Sequence, residues 1–446
     1  MTRAAGTSAA APALRRELGP WDLTAIGINQ VIGGAVFAQP ALYAASVGAW
    51  SPWLVVLVGG ASMLISLSFA EVCSRFDGTG GPYLCTRAAF GRFAAFEVGW
   101  MLWFTRAASW AAIINALAAA LGFYVPSLTA DWPRAALIAG AIVAIAAINI
   151  RGIRQSSFVV NLLTIGKLIP LAVFALVGIF HVDGGRLAPG DAPTLAQLSS
   201  TGLLLIFAFG GYEVIPVPAG EARDPRRAVP FALLMTIAVV TAVMALVQVV
   251  AIGTVPTLAP STTPLADASA VFMGAAGAAL MTLGAVISMS GNNMGQALSG
   301  SRNLFALAEQ GDLPAALAHV HRVYRTPVNA ILLTAGVSLA LALSGRYAEL
   351  ALASALSRLL VYVATCASTL RLRADAFAGR VPPPAFVVPL GPVVPAAAIV
   401  VAMTIVAGAR PEQIVAGATA LAAGALLYVL NAHGTRRTTF AGETDR

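Results

Sequence analysis

Charge is scarce in this sequence. Lys, Arg, Asp and Glu make up 10% of the 446 residues, against about 25% in an ordinary soluble domain, which excludes an extended solvated surface for most of the chain. Lys167 is the only lysine, and residue 161, where a GxxxxGK phosphate loop would need its first glycine, is Asn161. No nucleotide partner is expected. Cysteine and histidine are also few. Cys73, Cys85 and Cys366 form no CxxC, and His181, His319, His321 and His433 form no HExxH and fall in loops or near segment ends, so no metal site of standard spacing is present. No buried nucleophile stands beside a base, and an enzyme is not expected.

What fills the chain is apolar: 58% of residues are hydrophobic and the mean hydropathy is +0.82. A helical crossing of the hydrocarbon core takes about 20 apolar residues. Charged or Pro/Gly-rich interruptions divide the sequence into twelve such spans, at 22–46, 52–73, 93–122, 133–150, 157–180, 197–219, 230–253, 268–300, 327–344, 348–370, 386–408 and 413–431. Short alternating segments, the mark of a membrane barrel, are missing. The expected fold class is an all-α integral membrane protein. Residues 1–20 are polar and no cleavage pattern follows the first span, so that span is expected to be retained.

Basic residues orient the spans. With the amino terminus inside, 20 of the 27 Lys and Arg fall in cytoplasmic segments, while Arg134, Arg186, Arg346 and Arg410 fall outside and Arg106, Lys167 and Arg358 within spans. Both termini are then cytoplasmic and the three cysteines lie near cytoplasmic helix ends, where no structural disulfide is expected. Topology accounts for the net charge of +8, and a nucleic-acid partner is not needed. Trp50 and Trp53 suit interfacial anchors.

Spans 1 and 6 share an interruption. Each carries a glycine pair near its middle, Gly33-Gly34 and Gly210-Gly211, with Pro40 following the first and Pro216 and Pro218 the second. Both residue types weaken helix continuation. Small residues alone also serve close helix packing, but spans five apart cross in opposite directions and fit an inverted pair of five-span repeats. A helix broken at mid-membrane leaves N–H and C=O groups that need a cavity, water or ligand. The amides of Gly34, Ala35 and Val36, after Ile32 and Gly33, open a second half-helix whose positive dipole end suits a carboxylate. The carbonyls from Phe207 through Ala208 and Phe209 to Gly210 suit an ammonium. One zwitterion uses both sets, which makes amino acids the expected substrates.

Three motifs, in order over nearly the whole chain, resemble the amino acid-polyamine-organocation (APC) superfamily of secondary transporters. They are VIGGAVF at 31–37, FAFGGYE at 207–213 leading into AGEARDPRRAVP at 219–230, and SRNLFALAEQGDLP at 301–314 followed by HRVYRTPVNA. Ala35 stands where the family usually has glycine, and its methyl narrows the carboxylate pocket. The resemblance implies a leucine-transporter-type five-plus-five inverted-repeat core with discontinuous spans 1 and 6, working by alternating access. Repeat 1 covers 21–180 and repeat 2 covers 197–372; spans 11 and 12, at 385–431, are peripheral, and 432–446 is a cytoplasmic tail. It also makes Phe207 an aromatic gate and Glu213 a residue of proton response, and it implies a multi-pass cell (plasma or inner) membrane location.

Lys167 lies about ten residues from either end of span 5, roughly 15 Å of helix, too deep to snorkel. A charged lysine there costs from about 2.5 to more than 10 kcal/mol, so it should lose its proton or find partners. In a subgroup of the resembled family, the cationic amino acid transporter-like and proton-coupled members, a lysine at this place stands where sodium binds elsewhere. Lys167 is therefore expected to couple transport to protons, with Ser290 of span 8 as a contact; a permanently bonded structural amine is the alternative. Arg106 in span 3 cannot be deprotonated. It either pairs with Glu213 or binds a substrate carboxylate. Arg358 and Glu71 suit structural pairing or partial snorkelling, and Trp100, Phe104 and Trp110 suit packing, with Trp103 the aromatic placed at the site. No cofactor is expected beyond the proton gradient. The expected function is a proton-coupled amino acid symporter, with an exchanger of the same fold second and a nontransporting receptor or scaffold third. The lipid bilayer is the expected surroundings, and oligomeric state is left open.

Overall fold

The structure, a computed structural model, describes the backbone of residues 14–344, 347–407 and 411–441, with side chains at 123, 124, 129, 207, 347–356, 405–407, 412, 413, 416 and 432–441 left aside. Most of tail 1–20, the end of tail 432–446, and Arg346 and Arg410 lie outside the described residues. The described residues are built from helices: α1 (Pro20–Val31), α2 (Ala35–Ala38), α3 (Pro40–Val47), α4 (Ser51–Cys73), α5 (Pro82–Phe90), α6 (Arg92–Tyr124), α7 (Asp131–Arg151), α8 (Ile153–Gly178), α9 (Leu195–Phe209), α10 (Pro225–Thr254), α11 (Pro264–Glu309), α12 (Val328–Leu343), α13 (Tyr347–Arg371), α14 (Val393–Ala407) and α15 (Pro411–Ala441). Among the described residues, six stretches are long and apolar enough to cross a membrane: Pro40–Cys73, Arg92–Gly122, Asp131–Arg151, Ile153–His181, Pro225–Thr254 and Pro264–Glu309. Shorter apolar helices fill the rest, including Leu195–Ile206 and Val328–Leu343.

Local chemistry sets the ends. Proline opens α3, α4, α5, α10 and α11, where its missing N–H costs nothing. Gly152, at φ 141°, alone joins α7 to α8, a conformation side chains with a Cβ resist. Pro389, Gly391 and Pro392 delay α14 to Val393, past the expected start at 386. α11 is 46 residues long, but Gly274 (φ 63°) interrupts it, so the helix of span 8 begins after that residue and not at 268. The carboxyl-terminal helix runs to Ala441, beyond the expected boundary at 431. Helix α5 was not expected at all, because its sequence, PYLCTRAAF, is too short and too polar to register as a span.

Outward faces carry Leu57, Phe158, Leu176, Leu283, Val400 and Leu426 in the open, as a lipid-facing surface requires, while Asn29, Lys167, Arg106, Glu213, Ser288 and Asn293 are fully buried. Polar groups are thus gathered inside. α1 packs against α8, α10 and α11, which places its end among the polar side chains of α8 and α11.

The two expected interruptions are present. α1 stops at Val31 and the chain resumes helix at Ala35. α9 stops at Phe209 and gives way to two short 3-10 turns, Tyr212–Val214 and Val217–Glu221, in place of an α-helical second half; Pro216 and Pro218 remove the amides that such a helix would need. Gly211 adopts φ 134°, and a Cβ there would sit 2.8 Å from the Gln30 backbone. Gly211→Ala is therefore expected to cost on the order of 1 to 3 kcal/mol in backbone strain alone. Gly140, helical and open around its Cα, gains from the same change. Thermal unfolding of both variants in detergent checks this; equal midpoints would contradict it.

Candidate functional site

The α1 break is sustained by its partners more than by its glycines. Neither Gly33 nor Gly34 has positive φ, and Cβ atoms there would meet neighbours at 3.2 and 3.7 Å. At Ile32 the backbone turns out of helix (φ −75°, ψ 85°), which exposes carbonyls that α8 and α11 then satisfy. Lys167 Nζ, from α8, donates to Asn29 O at 3.1 Å, Ile32 O at 2.7 Å and Ser288 O at 3.2 Å. Ser288 Oγ donates to Ile32 O at 3.0 Å, and Asn292 Nδ2 to Gln30 O at 3.0 Å. The exchange is reciprocal: Asn29 Nδ2 donates to Gly291 O at 2.5 Å and Gln30 Nε2 to Asn292 O at 3.1 Å. Gly291 and Gly295 make this approach possible, since a Cβ on either would fall within 2.4 Å of the Asn29 or Gln30 side chain.

Two sets of backbone groups stay open. Among the described residues, none accepts from the amides of Gly34, Ala35 or Val36. None donates to the carbonyls of Ala208, Phe209 or Gly210. The first set is a half-helix N-terminus and the second a helix C-terminus, so their partial charges are opposite.

Beside the α9 end lies a buried charge cluster. Arg106 Nη2 of α6 donates to Glu213 Oε1 at 2.8 Å, and Arg358 Nε of α13 reaches the same oxygen at 3.1 Å. Glu213 Oε2 accepts from Gly211 N at 2.8 Å and from the Tyr362 hydroxyl at 2.9 Å. Tyr212 stacks on Tyr362 with ring centroids 5.4 Å apart. The second glycine pair now has two reasons. Gly211 takes a positive φ, and Gly210 leaves room for Arg358, whose Nη1 would lie 2.2 Å from a Cβ.

The expected residues are not all placed together. Ile32, Gly33, Gly34, Ala35, Val36 and Lys167 surround the α1 break, and Ala208, Phe209, Gly210, Glu213 and Arg106 surround the α9 end. The Phe207 side chain lies outside the described residues. Ser290 turns away, donating to Val286 O of its own helix at 2.9 Å, and Ser288 takes the position expected of it. Trp103 is buried against Leu304, Phe305 and Ala330, with Nε1 on Thr334 Oγ1 at 3.1 Å; it packs α6 onto α12 and is not at either break. Glu71 holds Arg373 through both carboxylate oxygens. Sequence reasoning missed Ser288, Asn292 and Tyr362; the polar run GNNMGQ at 291–296 inside an apolar stretch was the available signal for Asn292.

Glu213 is one carboxylate shared by two guanidinium groups in a buried site. Glu213→Gln removes the carboxylate that Arg106 is paired with and is expected to cost about 3 to 5 kcal/mol, read as a lowered unfolding midpoint in detergent; an unchanged midpoint would contradict the geometry.

A model of the family described as amino acid permease matches residues 18–430. An uncharacterized transporter of Mycobacterium tuberculosis is 32% identical over 97% of this chain and 96% of its own length. The serine/threonine exchanger SteT of Bacillus subtilis is 31% identical over 71% of this chain and 74% of its own, and the branched-chain amino acid permease BcaP of the same organism is 27% identical over 70% and 71%. With a family match running over nearly the whole helical chain, this protein belongs to the amino acid permeases of the APC superfamily, a multi-pass membrane transporter and not an enzyme.

Proposed function

We propose that this permease is a proton-coupled amino acid symporter of the subgroup with a lysine in the fifth span, built from twelve spans around a five-plus-five inverted repeat. The cell membrane is its location, and both termini face the cytoplasm. The substrate's α-carboxylate takes the amides of Gly34, Ala35 and Val36, and its ammonium takes the carbonyls of Ala208, Phe209 and Gly210. Each set is open among the described residues, and the charges match.

The observation that carries the coupling is the placement of Lys167, fully buried with Nζ on the carbonyls of Asn29, Ile32 and Ser288. A protonated amine ties the end of α1 to α8 and α11 through charge-assisted bonds worth roughly 1.5 to 3 kcal/mol each. Loss of the proton removes the charge and at least one donor, which loosens α1 beside the bound substrate. Proton release and opening toward one side are then linked, with the proton gradient as energy source. Exchange is the second reading, favoured by the 31% identity to a serine/threonine exchanger.

Uptake into proteoliposomes with an acid exterior separates the two. Symport is expected to accumulate amino acid above the external concentration, and Lys167→Met is expected to abolish accumulation while the folded protein persists by size-exclusion chromatography. Uptake that ignores the pH gradient and requires internal amino acid would favour exchange and overturn the proton-coupled reading.

A further inference from the structure

Among the described residues, the four carboxylates on fully buried residues, Glu71, Glu213, Glu221 and Asp312, are matched to arginines with one shortfall, whereas partly buried Glu97 meets no hydrogen-bond partner. Glu71 is bonded to Arg373 and Glu221 to Arg302, each through both oxygens. Asp312 binds Arg87 at 2.8 Å and Arg92 at 2.8 Å. Glu213, in contrast, gives one oxygen to two guanidinium groups, those of Arg106 and Arg358. Arg106 spends a single nitrogen on that contact. Its side chain is 0% exposed, and among the described residues Nε and Nη1 meet no hydrogen-bond partner. A guanidinium cannot shed its proton to escape the cost, and unpaired charged donors in a dry interior are among the most expensive groups a protein can bury.

The location of these donors gives them a use. Arg106 reaches Glu213, which accepts from the Gly211 amide, so one carboxylate links the guanidinium to the residue that follows the open carbonyls of Ala208, Phe209 and Gly210. A ligand whose ammonium occupies those carbonyls brings its other substituents alongside Arg106. We propose that Arg106 is the residue that selects the substrate side chain, its Nη1 and the second N–H of Nη2 receiving a side-chain carboxylate, and that the protein prefers acidic amino acids over their neutral amides and over cationic ones. This rests on the amino acid reading above, in which the α-carboxylate already occupies the half-helix amides and leaves only a second acid group for Arg106. A fork of parallel N–H donors suits a carboxylate in a way that an amide oxygen does not.

Counterflow in proteoliposomes tests it without depending on the coupling mechanism. Glutamate, aspartate, glutamine, asparagine, serine, leucine and arginine are compared as substrates of the intact protein. Glutamate uptake is expected to exceed glutamine uptake by on the order of 10- to 100-fold, the worth of a charge-assisted bond. Arg106→Gln leaves Glu213 with Arg358 and the Tyr362 hydroxyl, so the fold has a balanced pair in place of a shared one, and the glutamate-to-glutamine ratio of kcat/KM is expected to fall at least about tenfold. Arg106→Lys keeps the charge without the fork and is expected to fall between the two; it carries the comparison should the glutamine variant not survive purification. Wild-type uptake that favours glutamine, serine or leucine over glutamate overturns the assignment while leaving amino acid transport intact. An unchanged ratio in both variants overturns it as well, and reduces Arg106 to an internal partner of Glu213. Equal loss of all substrates moves the contact to the α-carboxylate and refutes side-chain selection. Transport of none of the seven overturns both readings.

Discussion

A helix that ends inside a membrane protein must hand its carbonyls to something, because lipid offers no hydrogen bonds. Here the carbonyls at the end of α1 are handed to three side chains, Lys167 from α8 and Ser288 and Asn292 from α11. That transfer decides much else. It fixes α1 between the two helices, requires glycine at 291 and 295 so that Asn29 and Gln30 can return the bonds, and leaves the amides of Gly34, Ala35 and Val36 facing no acceptor among the described residues. A continuous helix would satisfy itself and present nothing to a solute.

The two interruptions look alike in sequence and differ in cause. Both were legible from a glycine pair followed by proline, and the position of Lys167 in an apolar run announced a buried amine in need of partners. The physics underneath was not legible. Gly33 and Gly34 tolerate ordinary dihedrals, while Gly211 needs a positive φ and Gly210 makes room for Arg358. Sequence spacing also could not choose between Ser288 and Ser290, two residues and about 200° apart around a helix, because the choice depends on how α11 is rotated against α1. The charged partner for Arg106 was one of two alternatives; the sharing of Glu213 with Arg358 arises from a contact between distant helices that no local pattern encodes.

Charge is rationed in this protein, and several of the buried charges are paired across elements far apart in sequence. Glu221 and Arg302 tie the segment after α9 to α11, and Asp312 gathers Arg87, Arg92 and Tyr83 around the end of α11. These pairs are costly to break and hold helices in register. Lys167 differs from them because its partners are backbone carbonyls and not carboxylates. An amine held by dipoles can exchange its charge without stranding an opposite one, which suits a group asked to gain and lose a proton, whereas Arg106 and Arg302 are suited to staying charged.

Since Lys167 is the only lysine in the chain, protein labelled with 15N at the lysine side chain gives a single signal from the place where the structure is most demanding. At mildly acidic pH the expected result is one ammonium resonance shielded from solvent exchange, with that shielding reduced when Ser288 and Asn292 are both replaced by alanine. A rapidly exchanging signal at the position of free, solvated lysine would contradict the claim that this amine closes the open end of α1.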